Sequence, residues 1–477
     1  MSITTTAMTA TASDASTWGH ATRARPREPV AWRFAAHRGS RSSVSQAVSD
    51  VPLPSDTPEV SPDRRQAVPE GAVTVAIGLI VAGVTTYAFF RIGTDALGGD
   101  DAFAPIAALW FAMFALAPGF FLPIEQELGR ALAHRTAVGE GGRPVVVKAV
   151  IMASVLAVVV SAIILASSPW AVGAYFDGSW AMLAALVVAF CAYAPMHLTR
   201  GICSGTGEFG SFAFVVGADG VVRIVATVVI AWVGITTTGP FAMAVALSPL
   251  VAVAVVASRG TLHTAEGPPA PWREVTQNFG WLLVGTACAA GLLNAGPIAA
   301  NILSADGDEA VVTRFGYGVL LARVPLFMFQ AIQASLLPRL ARLAARGEFD
   351  AFRSGLRLLI IVVGAIGALG TVGAFWIGPW ILDVVYGAEL GGRTLAMLAL
   401  SSAIYMLALA TSQAVLALHG HTHVALGWAL GVVGFFLGTW LSSDLLFRRI
   451  EIGLVVSALV PLGWFALTLR RQLAAAG

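Results

Sequence analysis

AVIMASVLAVVVSAIILASS, residues 149–168, is a run of twenty residues without one charge. Wound as an α-helix at about 1.5 Å per residue, it covers about 30 Å, the thickness of a bilayer's hydrocarbon core. A helix also satisfies its own backbone groups, which lipid cannot do. Similar runs lie on both sides of it. From Gly71 onward, spans are expected near 71–92, 102–124, 145–168, 179–198, 209–234 and 239–258. A second set is expected near 279–303, 315–338, 355–379, 394–417, 423–442 and 452–469. The last of these has Arg448, Arg449 and Glu451 crowding its start. The expected fold is therefore all-α, a polytopic membrane protein of about 12 transmembrane helices.

Composition agrees. Of 477 residues, 57% are hydrophobic and only 12% charged, about half the charge of an ordinary soluble domain. The mean hydropathy is +0.78. Lys148 is the only lysine. These values exclude a soluble enzyme. They also exclude an outer-membrane barrel, whose short alternating strands make no long apolar runs. A net charge of +2, spread along the chain rather than gathered in a patch, excludes a nucleic-acid partner. Cys191, Cys203 and Cys288 contain no CxxC. Two lie in or beside apolar runs and Cys203 is expected in a short Gly-rich loop, so they read as packing residues, and no cofactor or metal is expected.

Residues 1–70 differ. They are rich in Ser, Thr, Ala, Pro and Arg, cannot bury a core, and read as a disordered cytoplasmic tail. No apolar stretch follows the start, so a secretory signal is not expected. A basic arm touching anionic lipid or a cytoplasmic partner is the functional alternative. With both termini cytoplasmic, 22 of the 29 cations fall on inner segments and five on outer ones, with Arg223 and Arg323 inside spans. The outer loops are acidic, with Asp95, Asp100 and Asp101 in one and Asp306, Asp308 and Glu309 in another. The positive-inside rule thus places the chain as a multi-pass protein of the cytoplasmic membrane with both ends inside.

A polar, Pro-rich linker, 259–278, separates an N-terminal six-helix half, 71–258, from a C-terminal half, 279–470, leaving a short cytoplasmic tail, 471–477. Two echoes join the halves. FFLPIEQELGRALAHRTAVGE (120–140) answers SLLPRLARLAARGE (335–348), and GTGEFGSFAFVVGADG (205–220) answers LHGHTHVALGWALGVVG (418–434). Pro123 to Pro338 is 215 residues and Gly207 to Gly420 is 213. Near-equal offsets argue for two six-helix pseudo-repeats of parallel topology around a central cleft, an architecture suited to alternating access.

FGYGVLLARVPLFMFQAIQASLLPRLARLAARGEFDAFRSGLR (315–357) resembles the eighth helix of the multidrug/oligosaccharidyl-lipid/polysaccharide (MOP) flippase superfamily. GAFWIGPWILDVVYGAEL (373–390) is similar to its next outer segment, and TRGICSGTGEFGSFAFVVGADGVVRIV (199–225) to the turn and fifth helix of the polysaccharide-exporter branch. The resemblance covers about 71–470 and implies a Wzx-like flippase for lipid-linked oligosaccharides. It departs from the lipid II flippase branch, which typically has fourteen helices. Implied partners are the lipid-linked oligosaccharide itself, membrane lipids, and polysaccharide polymerases or glycosyltransferases.

Arg223 falls near the middle of the fifth span, with Asp219 one turn earlier on the same face. An arginine at that depth must face a cavity or a partner. It could bind diphosphate oxygens with its planar fork, or form a structural ion pair with Asp219, which is also a candidate for proton or cation coupling. Arg323, in the eighth span beside Pro325, is either a second cationic contact from the opposite half or a side chain that snorkels outward or pairs with Asp383. Asn294, Asn301, Gln330, Gln333 and Gln413 supply amides for sugar hydroxyls or for interhelical hydrogen bonds. Glu125, Glu127 and Arg130, with Arg339 and Arg342 (and Arg346), could form a cytoplasmic gate or simply carry topogenic charge. His419, His421 and His423 read as an interfacial turn rather than a metal site.

The function expected is flipping of a lipid-diphosphate oligosaccharide for cell-surface polysaccharide assembly. No Walker loop is present, so energy would come from a gradient, the membrane potential or downstream consumption. The alternative is a multidrug or metabolite cation antiporter of the same superfamily. A membrane glycosyltransferase or polymerase fits less well, because outer loops of about ten residues are too short to house its chemistry. A non-enzyme is expected.

Overall fold

A computed structural model describes residues 71–476 apart from 306–307, 327–328, 330–339, 341–342 and 345. The tail 1–70 and Gln330, Gln333, Pro338, Arg339 and Arg342 lie outside the described residues. The chain forms α1 (Ala72–Leu97), α2 (Asp100–Ala137), α3 (Arg143–Ala166), α4 (Trp180–Thr206), α5 (Phe209–Trp232) and α6 (Thr238–Ser258). There follow α7 (Phe279–Leu303), α8 (Glu309–Ala322), α9 (Phe349–Trp376), α10 (Gly392–Ala417), α11 (His421–Leu441) and α12 (Leu446–Ala476). No strand occurs among the described residues. Eleven of these helices are long and apolar enough to cross a membrane. The twelfth expected span is represented by α8, whose described part has 14 residues.

Three packing pairs recur. α1 lies on α5 as α7 lies on α11; α4 lies on α6 as α10 lies on α12; α5 lies on α6 as α11 lies on α12. α2 leaves this pattern and packs across onto α7 and α8. Thr286 of α7 donates to the Gly119 carbonyl of α2 at 2.8 Å.

Several boundaries differ from expectation. α4 continues beyond 198 through RGICSG to Thr206, so Cys203 is helical and buried rather than in a loop. The cause is tertiary. A side chain at Gly205 would stand 2.8 Å from the Gly129 carbonyl, and one at Gly201 3.0 Å from that of Glu125. Glycine lets α4 and α2 approach closely, and that packing holds the turn helical. The helix stops at Gly207, whose φ of 81° is left-handed. α2 likewise runs on to Ala137 despite Pro105, Pro118 and Pro123. α12 continues through Arg470 and Arg471 to Ala476, where a tail was expected, because Gln472, Leu473, Ala474 and Ala475 are strong helix formers.

The linker 259–278 is a strap fixed to the first half. Arg135 of α2, almost wholly buried, donates to both carboxylate oxygens of Glu274 at 2.6 and 3.0 Å, to the Pro268 carbonyl at 2.9 Å and to that of Gly141 at 3.0 Å. Arg130 donates to the Glu274 carbonyl at 2.6 Å. Arg135→Ala leaves the Glu274 carboxylate without its main partner. We expect a loss of about 3 kcal/mol, read as a lower unfolding temperature in detergent together with faster proteolytic cleavage within 259–278. Unchanged cleavage would mean that other contacts hold the strap.

Candidate functional site

The tertiary structure places Arg223 and Arg323 on either side of one step of α2. The Arg223 guanidinium lies 4.6 Å from the centre of the Trp110 ring, and that of Arg323 lies 5.6 Å from the Phe111 ring. Adjacent residues of a helix point about 100° apart, so the aromatic pair faces one ring to each half. The two arginines therefore share a level of the bundle but not a pocket.

In the first half Arg223 is buried and donates to Asp219 Oδ2 at 2.6 Å. Asp219 also accepts from Ser248 Oγ of α6 at 2.5 Å and from the Tyr193 hydroxyl of α4 at 3.4 Å. Two Arg223 nitrogens, Nε and Nη1, are buried without a hydrogen-bond partner. The helical spacing of Asp219 and Arg223 shows in the sequence; Ser248, Tyr193 and Trp110 join them only through packing.

In the second half Arg323 is buried and donates to Asn294 Oδ1 at 3.2 Å and to the Leu293 carbonyl. α8 begins at Glu309, earlier than expected, which puts Arg323 about 21 Å along the helix axis. Its side chain is buried rather than extended to the surface, and among the described residues it forms no ion pair, with Asp383 or with any other acid. Pro325 lacks the N–H needed to continue the ladder, so α8 breaks just where Arg323 turns inward. Arg323 lines a cavity of about 30 Å³ with Pro297, Ser401, Ser402, Tyr405 and Ser457, space for one or two waters.

The two asparagines are engaged. Asn294 also donates to the Ala290 carbonyl at 2.9 Å, and Asn301 donates to the Tyr175 carbonyl at 2.7 Å, holding the π-helical turn Ala171–Tyr175 that follows α3. Asn294 thus joins the Arg323 group, whereas Asn301 does not.

Glu125 and Glu127 are buried. Glu125 is 2.7 Å from His197 Nδ1 and 3.1 Å from Arg200 Nη2, both on α4. Glu127 accepts from Arg130 at 2.7 Å. Their hydrogen-bond and ion-pair partners among the described residues lie in the first half, while His421 of the second half stands close enough to Glu127 to feel its charge; Arg339 and Arg342, their expected gate partners, lie outside the described residues. His197 escaped the sequence reading. A histidine and an arginine late in an apolar span were the available signal, but Glu125 sits 72 positions away. Tyr193 and His197 share one face of α4, their rings 6.4 Å apart, and so link the Asp219 group to the Glu125 group. Glu451, fully buried at the start of α12, lies 3.1 Å from Arg393. Around His419–His423 no cluster of three metal-ligating side chains exists among the described residues; His419 has a left-handed φ of 62° and α11 begins at His421.

At the end of the bundle holding the α1–α2 turn, the halves are fastened by a polar clasp. Gly98 and Gly99, with φ of 95° and 142°, make the tight turn that presents Asp100. Asp100 accepts from Arg314 Nε at 2.8 Å and from the Tyr317 hydroxyl at 3.0 Å, both on α8. The Tyr317 hydroxyl is 2.6 Å from Thr94 Oγ1, and its ring stacks on Tyr386 at 4.4 Å. Tyr87 donates to the Leu320 carbonyl at 2.7 Å, and Arg91 to that of Tyr386 at 3.1 Å.

Solved transporters share this arrangement of helices. An inward-facing multidrug resistance MATE family transporter of the MOP superfamily superposes with a TM-score of 0.66, covering 84% of this chain and 98% of that one at 16% identity. The chain has the MATE-type fold. A MATE transporter of Vibrio cholerae gives 0.62, over 85% and 97%, at 13% identity. A Pyrococcus furiosus MOP transporter, described as having a binding pocket of reversed polarity that suggests a different function, gives 0.60 over 84% and 95% at 16% identity. No protein-family model matches. By sequence the chain is 25% identical over 331 residues to an uncharacterised protein of Mycobacterium bovis, covering 65% of this chain and 71% of that one. It is 29% identical over 305 residues to an uncharacterised protein of Mycobacterium tuberculosis, covering 59% and 65%. In the MATE-type fold the Asp219–Arg223 and Arg323–Asn294 groups occupy different halves, with α2 between them.

Proposed function

We propose that the protein is a transporter that flips a lipid-diphosphate-linked oligosaccharide across the cytoplasmic membrane by alternating access, with both termini inside. The observation that carries this reading is the charge state of the interior. Among the described residues three arginines are buried. Arg135 and Arg223 each hold a carboxylate, and Arg323 holds none. The buried acids Glu125, Glu127, Asp219 and Glu451 are each paired with an arginine. An interior in which, among the described residues, the buried acids face arginines and the buried arginine without a carboxylate is Arg323 suits an anionic cargo, and phosphate oxygens fit that fork. A cationic drug would need the reverse. The Pyrococcus transporter with a reversed-polarity pocket is a precedent for such a change within this fold.

The cavity beside Arg323 is too small for a sugar, so the cargo binds after the halves part. The clasp around Asp100 and Tyr317 then has to open and close in each cycle. Tyr317→Phe removes its hydrogen bonds and costs the closed state about 1–2 kcal/mol. The expected outcome is a several-fold rise in labelling of a single cysteine placed at the buried Ala388 by a membrane-impermeant thiol reagent. No rise would show that the clasp does not set this equilibrium. The function itself is tested by flipping of a fluorescent diphosphate-linked oligosaccharide in proteoliposomes. Absence of flipping with a suitable lipid, together with active drug efflux, would overturn the proposal.

A further inference from the structure

Lys148, the chain's only lysine, immediately precedes the charge-free run 149–168 that α3 follows to Ala166. It therefore stands at the boundary of the hydrocarbon core, the level of lipid phosphates. α3 leaves much of its surface facing outward, with Val147 50% and Ile151 45% exposed, so that surface meets lipid. Against it the strap 259–278 forms a groove of about 600 Å³, lined by Arg143, Val147, Lys148 and Ile151 on one wall and by Glu266 and Trp272 on the other. Lys148 Nζ donates to the Ala270 carbonyl and lies 4.7 Å from the centre of the Trp272 ring. No carboxylate pairs with it among the described residues. Arg143 is exposed and paired with Glu266. Two cations and one carboxylate leave the groove with one net positive charge, and Lys148 retains donors that the strap does not use.

We infer that this groove is a binding site for the phosphate headgroup of an anionic membrane phospholipid. The aliphatic wall of Val147 and Ile151 accommodates the upper acyl chain. Lys148 and Arg143 meet the phosphodiester, whose single negative charge matches the groove. Trp272 lies at the depth where tryptophan anchors helices in membranes, and basic pockets at that depth hold anionic headgroups. The source is a lipid rather than a free phosphate, because the groove opens along the lipid-facing side of α3 and most of its lining is apolar. The site also couples lipid to the strap that joins the two halves, since Lys148 and Trp272 hold both at once.

The test uses the full chain purified in detergent with phosphatidylglycerol, phosphatidylcholine or glycerol phosphate. Native mass spectrometry, read at the low charge states of the folded protein, counts retained lipid. The wild type should retain phosphatidylglycerol at least fivefold over phosphatidylcholine and gain several degrees in unfolding temperature with it alone. Arg143→Gln/Lys148→Gln should lose both effects, whereas Lys148→Arg should keep them. Arg357→Gln, an exposed cation on another helix, should leave both unchanged. If the double variant does not fold, Arg143→Gln alone, on an exposed side chain, should lower the preference at least twofold. The inference is overturned if these glutamine variants retain phosphatidylglycerol as the wild type does, if Arg357→Gln loses it equally, or if glycerol phosphate gives the same stabilisation.

Discussion

Arg323→Ala is expected to lower flipping of a diphosphate-linked oligosaccharide at least about thirtyfold, with insertion and folding intact. Truncating one side of a buried charge contact costs about 2–5 kcal/mol, and 1.4 kcal/mol is a factor of ten. Folding should survive because Arg323 has no carboxylate to abandon; its loss frees only Asn294 Oδ1 and the Leu293 carbonyl. Arg323→Met, which keeps the volume and removes the charge, should unfold at or above the wild-type temperature. Arg323→Lys should retain part of the activity, since an ammonium keeps the charge but lacks the fork. Reconstituted protein showing wild-type flipping with Arg323→Ala would remove Arg323 from the cargo path and leave it a packing residue on Phe111.

Asp219→Asn is expected to be the most destabilising single change of a polar group. Arg223 has two buried nitrogens without acceptors already, and this variant takes away the carboxylate that balances its charge. Leaving one partner of a buried pair costs about 3–5 kcal/mol, whereas replacing both by apolar groups is often neutral. Asp219→Asn/Arg223→Met should therefore recover most of the unfolding temperature in detergent lost by Asp219→Asn. No recovery would mean that Ser248 and Tyr193, rather than Arg223, account for the role of Asp219. The double variant also separates two readings of the pair: retained transport makes it structural, and lost transport makes it part of cargo binding or coupling.

The helix ends show where sequence reasoning loses its grip. The expected exit of the fourth span near 198 followed the end of the apolar run. α4 continues to Thr206 because Gly201 and Gly205 let it lie against α2, and that contact is invisible to periodicity. α8 begins six residues before its expected start, since Glu309 and Arg314 are polar enough to look like loop. Yet Arg314, together with Tyr317, holds Asp100 at the clasp, 214 positions away. His197 was missed for the same reason: its partner Glu125 belongs to another helix.

What the sequence determined by itself follows from solvent. Charge-free runs of about twenty residues can only be membrane helices, and a guanidinium placed within such a run must be compensated. The succession of membrane-length apolar helices and the need of Arg223 and Arg323 for polar company were legible on that ground. Tertiary structure decided which groups compensate which. It added Ser248 and Tyr193 to the Asp219–Arg223 pair that the helical spacing already offered, left Arg323 without an acid among the described residues, set Trp110 and Phe111 between the two arginines, and joined Glu125 to His197. Those choices depend on which helix faces lie together, and lipid, being as apolar as most side chains, gives the sequence little pattern from which to read them.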